Sequence, residues 1–343
     1  MPGATQPLQV CLIPRLEGLG GPASFQARLV RGLAANGVQV SYHPEDTALS
    51  CILVIGGTSN LAALWRARRR GVRIIQRLNG MNWIHRRRWT GARHFLRSEI
   101  NNTLLALIRA YLADTIIYQS QFSQDWWERV HGHLAKSCQT IYNGVDLAEF
   151  SPEGPGAPPA DRIRVQMVEG RLGGGHEAGL RNGVALVESL IHDHRVPAEL
   201  VIVGQVPEML QREAAQRLGD RVTFLGAVPR ERIPELNRSA HLFFSADLNA
   251  ACPNAVIEAL ACGLPVLAFD TGALKELVPA AAGRVVPYGA NLWRLEPPDI
   301  PALARAASEI LPNLEAFRQG ARQQAVDRLG LDRMVAAYLA VFQ

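Results

Sequence analysis

The sequence predicts two tandem doubly wound α/β domains, and three observations carry that reading. Short apolar runs alternate with helical stretches of about 10–15 residues along the chain, the signature of parallel sheets wrapped by helices. The 343 residues, 48% of them hydrophobic, suffice for two buried cores at roughly 100–200 residues each. A turn-rich run with nothing to bury, Ser151-Pro152-Glu153-Gly154-Pro155-Gly156-Ala157-Pro158-Pro159, reads as the linker between them. The domains are expected over residues 1–150 and 160–315, with residues 316–343 forming helices that pack back toward the first domain. Ligands of such sheets sit at the carboxyl ends of strands, so the two domains are expected to face each other across a binding cleft.

The first domain opens with an apolar strand over residues 8–14, a loop carrying Gly18, Gly20 and Gly21, and an amphipathic helix over 23–35. Asn36-Gly37 stops that helix. Strands follow at 38–42 and 51–55, then a helix over 61–70, a strand over 72–76, a long helix over about 95–112 and a strand over 115–119. The second domain reads as strand 162–168, helix 180–193, strand 200–203, helix 208–218, strand 222–225 and helix 230–237. It continues with strand 241–245, helix 254–261, strand 265–269 and helix 274–277, and residues 332–342 form a last helix.

Composition excludes several classes. Thirty Gly and 21 Pro are near average usage, which rules out collagen-like and low-complexity chains. The high hydrophobic content with only 20% charged residues argues against disorder. No stretch approaches the roughly 18 apolar residues of a membrane span; the best one, residues 100–118, carries Arg109 and Asp114. Met1-Pro2-Gly3-Ala4-Thr5 shows no secretory pattern, so a soluble cytoplasmic protein is expected. Cys11, Cys51, Cys138, Cys252 and Cys262 are odd in number and never spaced C-x-x-C, which argues against a disulfide framework or structural zinc. Most are expected to be small core hydrophobes.

The net charge of +5 is modest, but its distribution is uneven. No acidic residue lies between Asp46 and Glu99, whereas that interval holds Arg66, Arg68, Arg69, Arg70, Arg73, Arg77, Arg86, Arg87, Arg88, Arg93 and Arg97. Such a field attracts phosphates, acidic lipid head groups or nucleic acid; a solvated basic face is the plainer reading. No aromatic-interleaved or known nucleic-acid module accompanies it, so no nucleic-acid partner is expected.

Three segments bear on chemistry. The loop Gly18-Leu19-Gly20-Gly21 lies between the first strand and its helix, where small residues let a phosphate or sugar approach a helix N-terminus; a plain tight turn has the same pattern. The segment Glu169-Gly170-Arg171-Leu172-Gly173-Gly174-Gly175-His176 follows the first strand of the second domain, with Arg181 downstream. Arginine forks and backbone N–H groups can neutralise a departing diphosphate without a metal. The third segment runs Ala250-Ala251-Cys252-Pro253-Asn254-Ala255-Val256-Ile257-Glu258-Ala259-Leu260-Ala261-Cys262-Gly263-Leu264-Pro265. It reads as loop, short helix with Asn254 as N-cap, glycine stop and buried strand. Glu258 on this apolar helix either pairs structurally or receives a ligand's hydroxyls, as acidic residues do with ribose.

This third segment, with Ile141-Tyr142-Asn143-Gly144-Val145-Asp146 and Phe150-Ser151-Pro152, resembles glycosyltransferase family 4, the retaining sugar transferases of the GT-B fold. Gly20-Gly21, Gly170-Arg171-Leu172, Val201-Ile202-Val203-Gly204 and Phe224-Leu225-Gly226 match in the same order along nearly the whole chain. The resemblance implies two Rossmann-like domains and a nucleoside diphosphate sugar donor held mainly by the second. It implies Glu258 on the donor ribose, Arg171 on the diphosphate, Asn254 and Ala255 beside the donor, and Gly20 and Gly21 letting the donor phosphate approach the first domain. It further implies transfer to an acceptor hydroxyl with retention; no protein nucleophile or base stands out, so the leaving diphosphate is expected to take the acceptor's proton, and without a D-x-D-like motif no essential metal is expected.

Three departures stand out. The family's Glu-(seven residues)-Glu pair places its first Glu where this chain has Ala250, with Asn249 and Asp247 in the same loop as substitutes. The family's phosphate-binding Lys is absent, leaving Arg181 as the nearest cation. The first-domain His or Asp near the sugar is here Asn79, which can hydrogen-bond but cannot act as a base. Asn143 and Asp146 are expected to cap the domain junction. The basic segment is expected to hold an acidic acceptor or to dock on an anionic membrane. Ala250 and Asn79 also suit a decayed relative that only binds, and an epimerase or phosphorylase on the same architecture is a further alternative.

Overall fold

The computed structural model describes residues 8–18 and 20–343. The readings of residues 1–5 and of Leu19 lie outside the described residues. The chain divides into two compact units, one comprising Met1–Gly144 with Leu331–Gln343 and the other Val145–Gly330.

Unit 1 runs β1 (Gln9–Ile13), α1 (Gly21–Ala35), β2 (Gln39–Ser41), β3 (Cys51–Ile55), α2 (Leu61–Arg69), β4 (Arg73–Leu78), α3 (Ala92–Leu107), β5 (Thr115–Tyr118), α4 (Gln121–His131) and β6 (Ser137–Thr140). Its six strands form one sheet ordered β2-β1-β3-β4-β5-β6, parallel throughout. The β3 sequence, CILVI, is buried at every position, as a strand covered on both faces requires. Phe25, Leu29 and Leu33 of α1 recur at helical spacing and line the same core as Val10, Leu12 and Leu53.

Unit 2 runs β7 (Ile163–Arg171), α5 (Glu177–His192), β8 (Ala198–Gln205), α6 (Glu208–Leu218), β9 (Val222–Gly226), α7 (Ile233–Arg238), β10 (Leu242–Phe244), α8 (Asn254–Ala261), β11 (Val266–Phe269), α9 (Leu274–Leu277), β12 (Gly283–Val286), α10 (Ile300–Ile310) and α11 (Leu314–Arg328). Its sheet is ordered β12-β11-β10-β7-β8-β9 and is again parallel. The last helix, α12 (Leu331–Phe342), returns to unit 1. There Met334, Val335, Tyr338 and Phe342 complete the unit 1 core, with the Tyr338 ring 5.5 Å from that of Phe25.

Several boundaries differ from expectation. The units divide at Gly144 and Val145 rather than in the proline- and glycine-rich run. Val145 N–H donates to the Leu329 carbonyl at 2.9 Å. Arg238 donates to the Ser151 and Pro155 carbonyls at 3.1 and 2.7 Å, and Arg322 to those of Leu147 and Phe150 at 3.0 and 2.8 Å. The run is thereby fastened to unit 2 by backbone acceptors, which composition does not register. α11 also belongs to unit 2, so only α12 crosses back. The long helix of unit 1 starts at Ala92, and its last turn, Ile108–Leu112, is π-helical. Four elements lacked a clear sequence signal: α4, β6, β12 and α10. The β6 residues, SCQT, are polar and largely exposed, so they carry no apolar run to read. Four of the cysteines are buried and only Cys138 is exposed; all five are free. Burial pushes the Cys11, Cys51 and Cys262 thiols up to about 12.

Candidate active site

The sheet of unit 2 grows in opposite directions from β7, with β8 and β9 on one side and β10, β11 and β12 on the other. Loops leaving β7 and β10 therefore diverge, and a crevice opens at the carboxyl ends of the two strands. The 169–176 segment and the 245–253 loop leading into α8 flank it.

The end of β7 is bulged: its register with β8 shifts between Val168 and Arg171. Gly204 makes room for the bulge. Its φ is +131, and a Cβ there would overlap the Glu169 carbonyl. Burial and the neighbouring Asp247 carboxylate hold the Glu169 carboxyl well above the usual range. Burial raises Asp247 as well, against the opposing pull of His176. Glu169, Asp247 and His176 thus lie near enough to influence one another electrostatically, with Arg171 exposed at the strand end. The close approach of α5 to the β10 loop reinforces this geometry, since a Cβ on Gly179 would lie 2.6 Å from the Ala246 carbonyl oxygen.

The β10 loop holds the second unusual feature. Asn249 adopts a left-handed backbone, φ +61, and is only 6% exposed. Its amide nitrogen has no hydrogen-bond partner. A left-handed non-glycine costs about 1–3 kcal/mol, and an unsatisfied buried donor a similar amount. Both costs fall on one residue, the pattern of a group kept for a ligand. Next to it, Ala250 is buried and its carbonyl accepts from Ala273 N–H at 2.9 Å. α8 then starts at Asn254, with Pro253 in the N-cap position and no side-chain cap. Asn254 is thus the first helical residue and not the cap its residue type suggested. Glu258, 8% exposed, lies one turn along this helix.

The family model described as glycosyl transferases group 1 matches residues 167–313, which contain all of these residues. Over that segment the chain is similar to the group 1 glycosyl transferases. The 2-deoxystreptamine N-acetyl-D-glucosaminyltransferase of Streptomyces fradiae is 29% identical over 177 residues, covering 50% of this chain and 39% of the relative. The D-inositol 3-phosphate glycosyltransferase of Salinispora arenicola is 29% identical over 237 residues, covering 60% and 49%. The chain thus spans about half or less of the length of these curated relatives. Among solved structures, sucrose-phosphate synthase from Thermosynechococcus elongatus superposes with a TM-score of 0.72 at 18% identity, covering 98% of both chains. Anabaena Alr3699/HepE, solved in complex with UDP and glucose, gives 0.68 at 17% identity, covering 97% of this chain and 99% of its own. The fold is therefore GT-B, two Rossmann-like units.

The sequence-derived residues separate into two groups. Arg171, Asn254, Ala255 and Glu258 belong to the β7 and β10 ends of unit 2 and to α8. Arg181 does not join them. It lies within α5, and its guanidinium meets Glu213 of α6 through bonds of 2.7 and 3.0 Å, so the fork expected to bind diphosphate is engaged between two helices. In unit 1, Gly20 and Gly21 stand at the start of α1, with Gly20 in the N-cap position. Asn79 follows β4, and its Oδ1 accepts from Arg77 at 2.8 Å and Gln119 at 2.6 Å. Arg77 also donates to Asn143 Oδ1 at 2.7 Å. Asn79 is thus a member of a hydrogen-bonded network through its Oδ1. Asn143 serves that network, and Asp146 accepts from Ala148 and Glu149 N–H within its own turn. Glu169, Gly204 and the Asn249 backbone were not singled out by sequence reasoning. An acid closing the otherwise apolar end of β7 was the available signal.

Proposed function

We propose that this protein is a retaining glycosyltransferase that moves a sugar from a nucleoside diphosphate donor to an acceptor hydroxyl. The observation that carries the reading is the unit 2 crevice. A buried, unpartnered amide on a left-handed Asn249 lies in the loop that leads directly into the Asn254 turn and Glu258, with exposed Arg171 ending the adjacent strand. Arg171 and the backbone N–H groups of Asn254 and Ala255 would hold the diphosphate, and Glu258 would accept from the ribose hydroxyls. Gly20 and Gly21, at the start of α1, would admit a donor phosphate at unit 1.

In the proposed step, the bond between the anomeric carbon and the β-phosphate oxygen breaks. The acceptor oxygen bonds to that carbon on the same face, and its proton passes to the departing phosphate. Arg171 and a helix N-terminus stabilise the charge that develops there. Because cationic and backbone donors meet that charge, no essential divalent metal is proposed. The relatives' transferase names and the nucleotide-bound neighbour favour transfer over a binding-only, epimerase or phosphorylase role. Asn249 takes the place left by Ala250 in contacting the transferred sugar. No helix among the described residues is long and apolar enough to cross a membrane, and the proposal is a cytoplasmic enzyme in peripheral contact with an anionic membrane.

The test is a thermal-shift and donor-hydrolysis panel with UDP, GDP and ADP and their sugars, with and without EDTA. One nucleotide at about 100 times its Kd should stabilise the protein by roughly 2.7 kcal/mol, and Glu258→Ala should abolish the shift. Silence across the whole panel would remove the donor assignment.

A further inference from the structure

α3 is amphipathic in the wrong sense for a helix that only packs on its own sheet. Its inward residues include Ser98 and Asn102 alongside Leu105, and Asn102 is fastened by bonds to the Asn82 backbone at 2.8 and 3.0 Å. Its outward face carries the apolar side chains. Leu96 is 61% exposed, and Ile100 and Leu107 are exposed with it. These positions recur at helical spacing, so they form a single stripe. Tyr111, 69% exposed, continues the stripe into the π-helical turn. The stripe is about 22 Å long at 1.5 Å per residue. Just before α3, Trp89 is the most exposed large apolar residue described, at 79%.

Cations border this stripe. Arg93 and Arg97 are exposed on α3, three residues before Leu96 and Ile100, and helical spacing sets them on its shoulder. Arg86 and Arg87 are exposed in the preceding turn. The single acid of α3, Glu99, is held by Arg86 at 2.6 and 2.7 Å and by His85 at 2.6 Å. Those bonds keep its carboxylate at about 2, so it stays ionised and its charge is spent locally. On α2, exposed Trp65 lies under the Arg69 guanidinium at 4.7 Å, and Arg68 ties α2 to the Tyr111 backbone.

The geometry points to α3 and the Trp89 turn as a docking surface for an anionic phospholipid bilayer, lying in the interface with Leu96, Ile100, Leu107 and Trp89 among the acyl chains and the arginines at the phosphates. An exposed apolar stripe shouldered by cations is the pattern of interfacial helices. Tryptophan prefers that boundary, and arginine can bury its stem while its head stays wet. A soluble acidic ligand would use the arginines and leave the stripe uncovered; a bilayer uses both. This inference deepens the proposed peripheral contact and rests on unit 1 alone.

The test is co-sedimentation of the full-length protein with vesicles of neutral phosphatidylcholine or with 30% phosphatidylglycerol added. No turnover is measured, so its outcome is independent of the transferase reading. Binding to the anionic vesicles is expected, with a blue-shifted tryptophan emission that Trp89→Phe reduces. Leu96→Ser with Ile100→Ser, at exposed positions, should lower the partition coefficient at least tenfold. Arg93→Gln with Arg97→Gln should lower it about fivefold per charge, the equivalent of about 1 kcal/mol each, and only on anionic vesicles. Equal binding by the serine variant and the parent would overturn the proposal. So would loss of self-association in that variant without any vesicle binding, since a second copy would then be the occupant.

Discussion

Arg181 and Glu213 join α5 to α6 through a two-pronged ion pair of 2.7 and 3.0 Å. With Arg181 so engaged, the proposed diphosphate contact falls to Arg171. Arg181→Ala should cost no more than about 1 kcal/mol, as a partly exposed pair does, and leave the donor KM within about twofold. Arg171→Ala should raise the donor KM about tenfold or more, the scale of a lost charged hydrogen bond. Initial rates against donor concentration check both; a larger effect at Arg181 would reverse the assignment.

Asn249→Gly separates the backbone from the side chain. Glycine accepts the left-handed conformation freely and leaves no unsatisfied buried amide, so chemical denaturation should show a gain in stability of about 1 kcal/mol or more. Loss of the amide should nonetheless weaken donor binding about tenfold, read by calorimetry. Unchanged donor affinity would make the residue a turn former only.

The Glu169 carboxyl, raised by burial and by Asp247, ties stability to pH. With the folded value above the unfolded one, its contribution is complete below the ordinary carboxylate range and is lost as pH rises through the folded value. Glu169→Gln should therefore be more stable than the parent at pH 8, and the gain should vanish toward pH 4. Urea unfolding at several pH values reads this; an advantage that grows on acidification is the opposite sign.

His241 works in the other direction. Its Nδ1 accepts from the Arg164 N–H at 2.9 Å, and burial, with Arg318 and Arg164 nearby, pushes it down to about 4. Its stabilising contribution is present above about pH 6.5 and is lost as pH falls toward 4. The parent should lose up to about 1.4 kcal/mol per pH unit relative to His241→Asn across that window. Parallel curves for the two proteins would exclude this group.

Gly204→Ala should be among the most damaging single changes outside the site chemistry. The residue holds φ +131 against the Glu169 carbonyl. Strain and overlap together should cost at least about 2 kcal/mol, with donor binding lost through the displaced bulge. A melting temperature within a degree or two of the parent would show that the bulge can reform elsewhere.

The chain's alternation of apolar runs and amphipathic stretches determined by itself that two doubly wound sheets form, because periodicity and burial are local properties. The Pro253-Asn254 start of α8 and the glycines after β1 and β7 likewise marked in advance the loops at the carboxyl ends of these strands. Tertiary structure decided which polar groups remain for a ligand. Arg181 meets an acid 32 positions away, Asn79 is claimed by Gln119 from another strand end, and the proline-rich run is held by Arg238, more than 80 residues on. A hydrogen bond satisfied across the fold leaves no trace in the residues beside it. Reading the sequence locally therefore finds the loops but not the partners that empty or fill them.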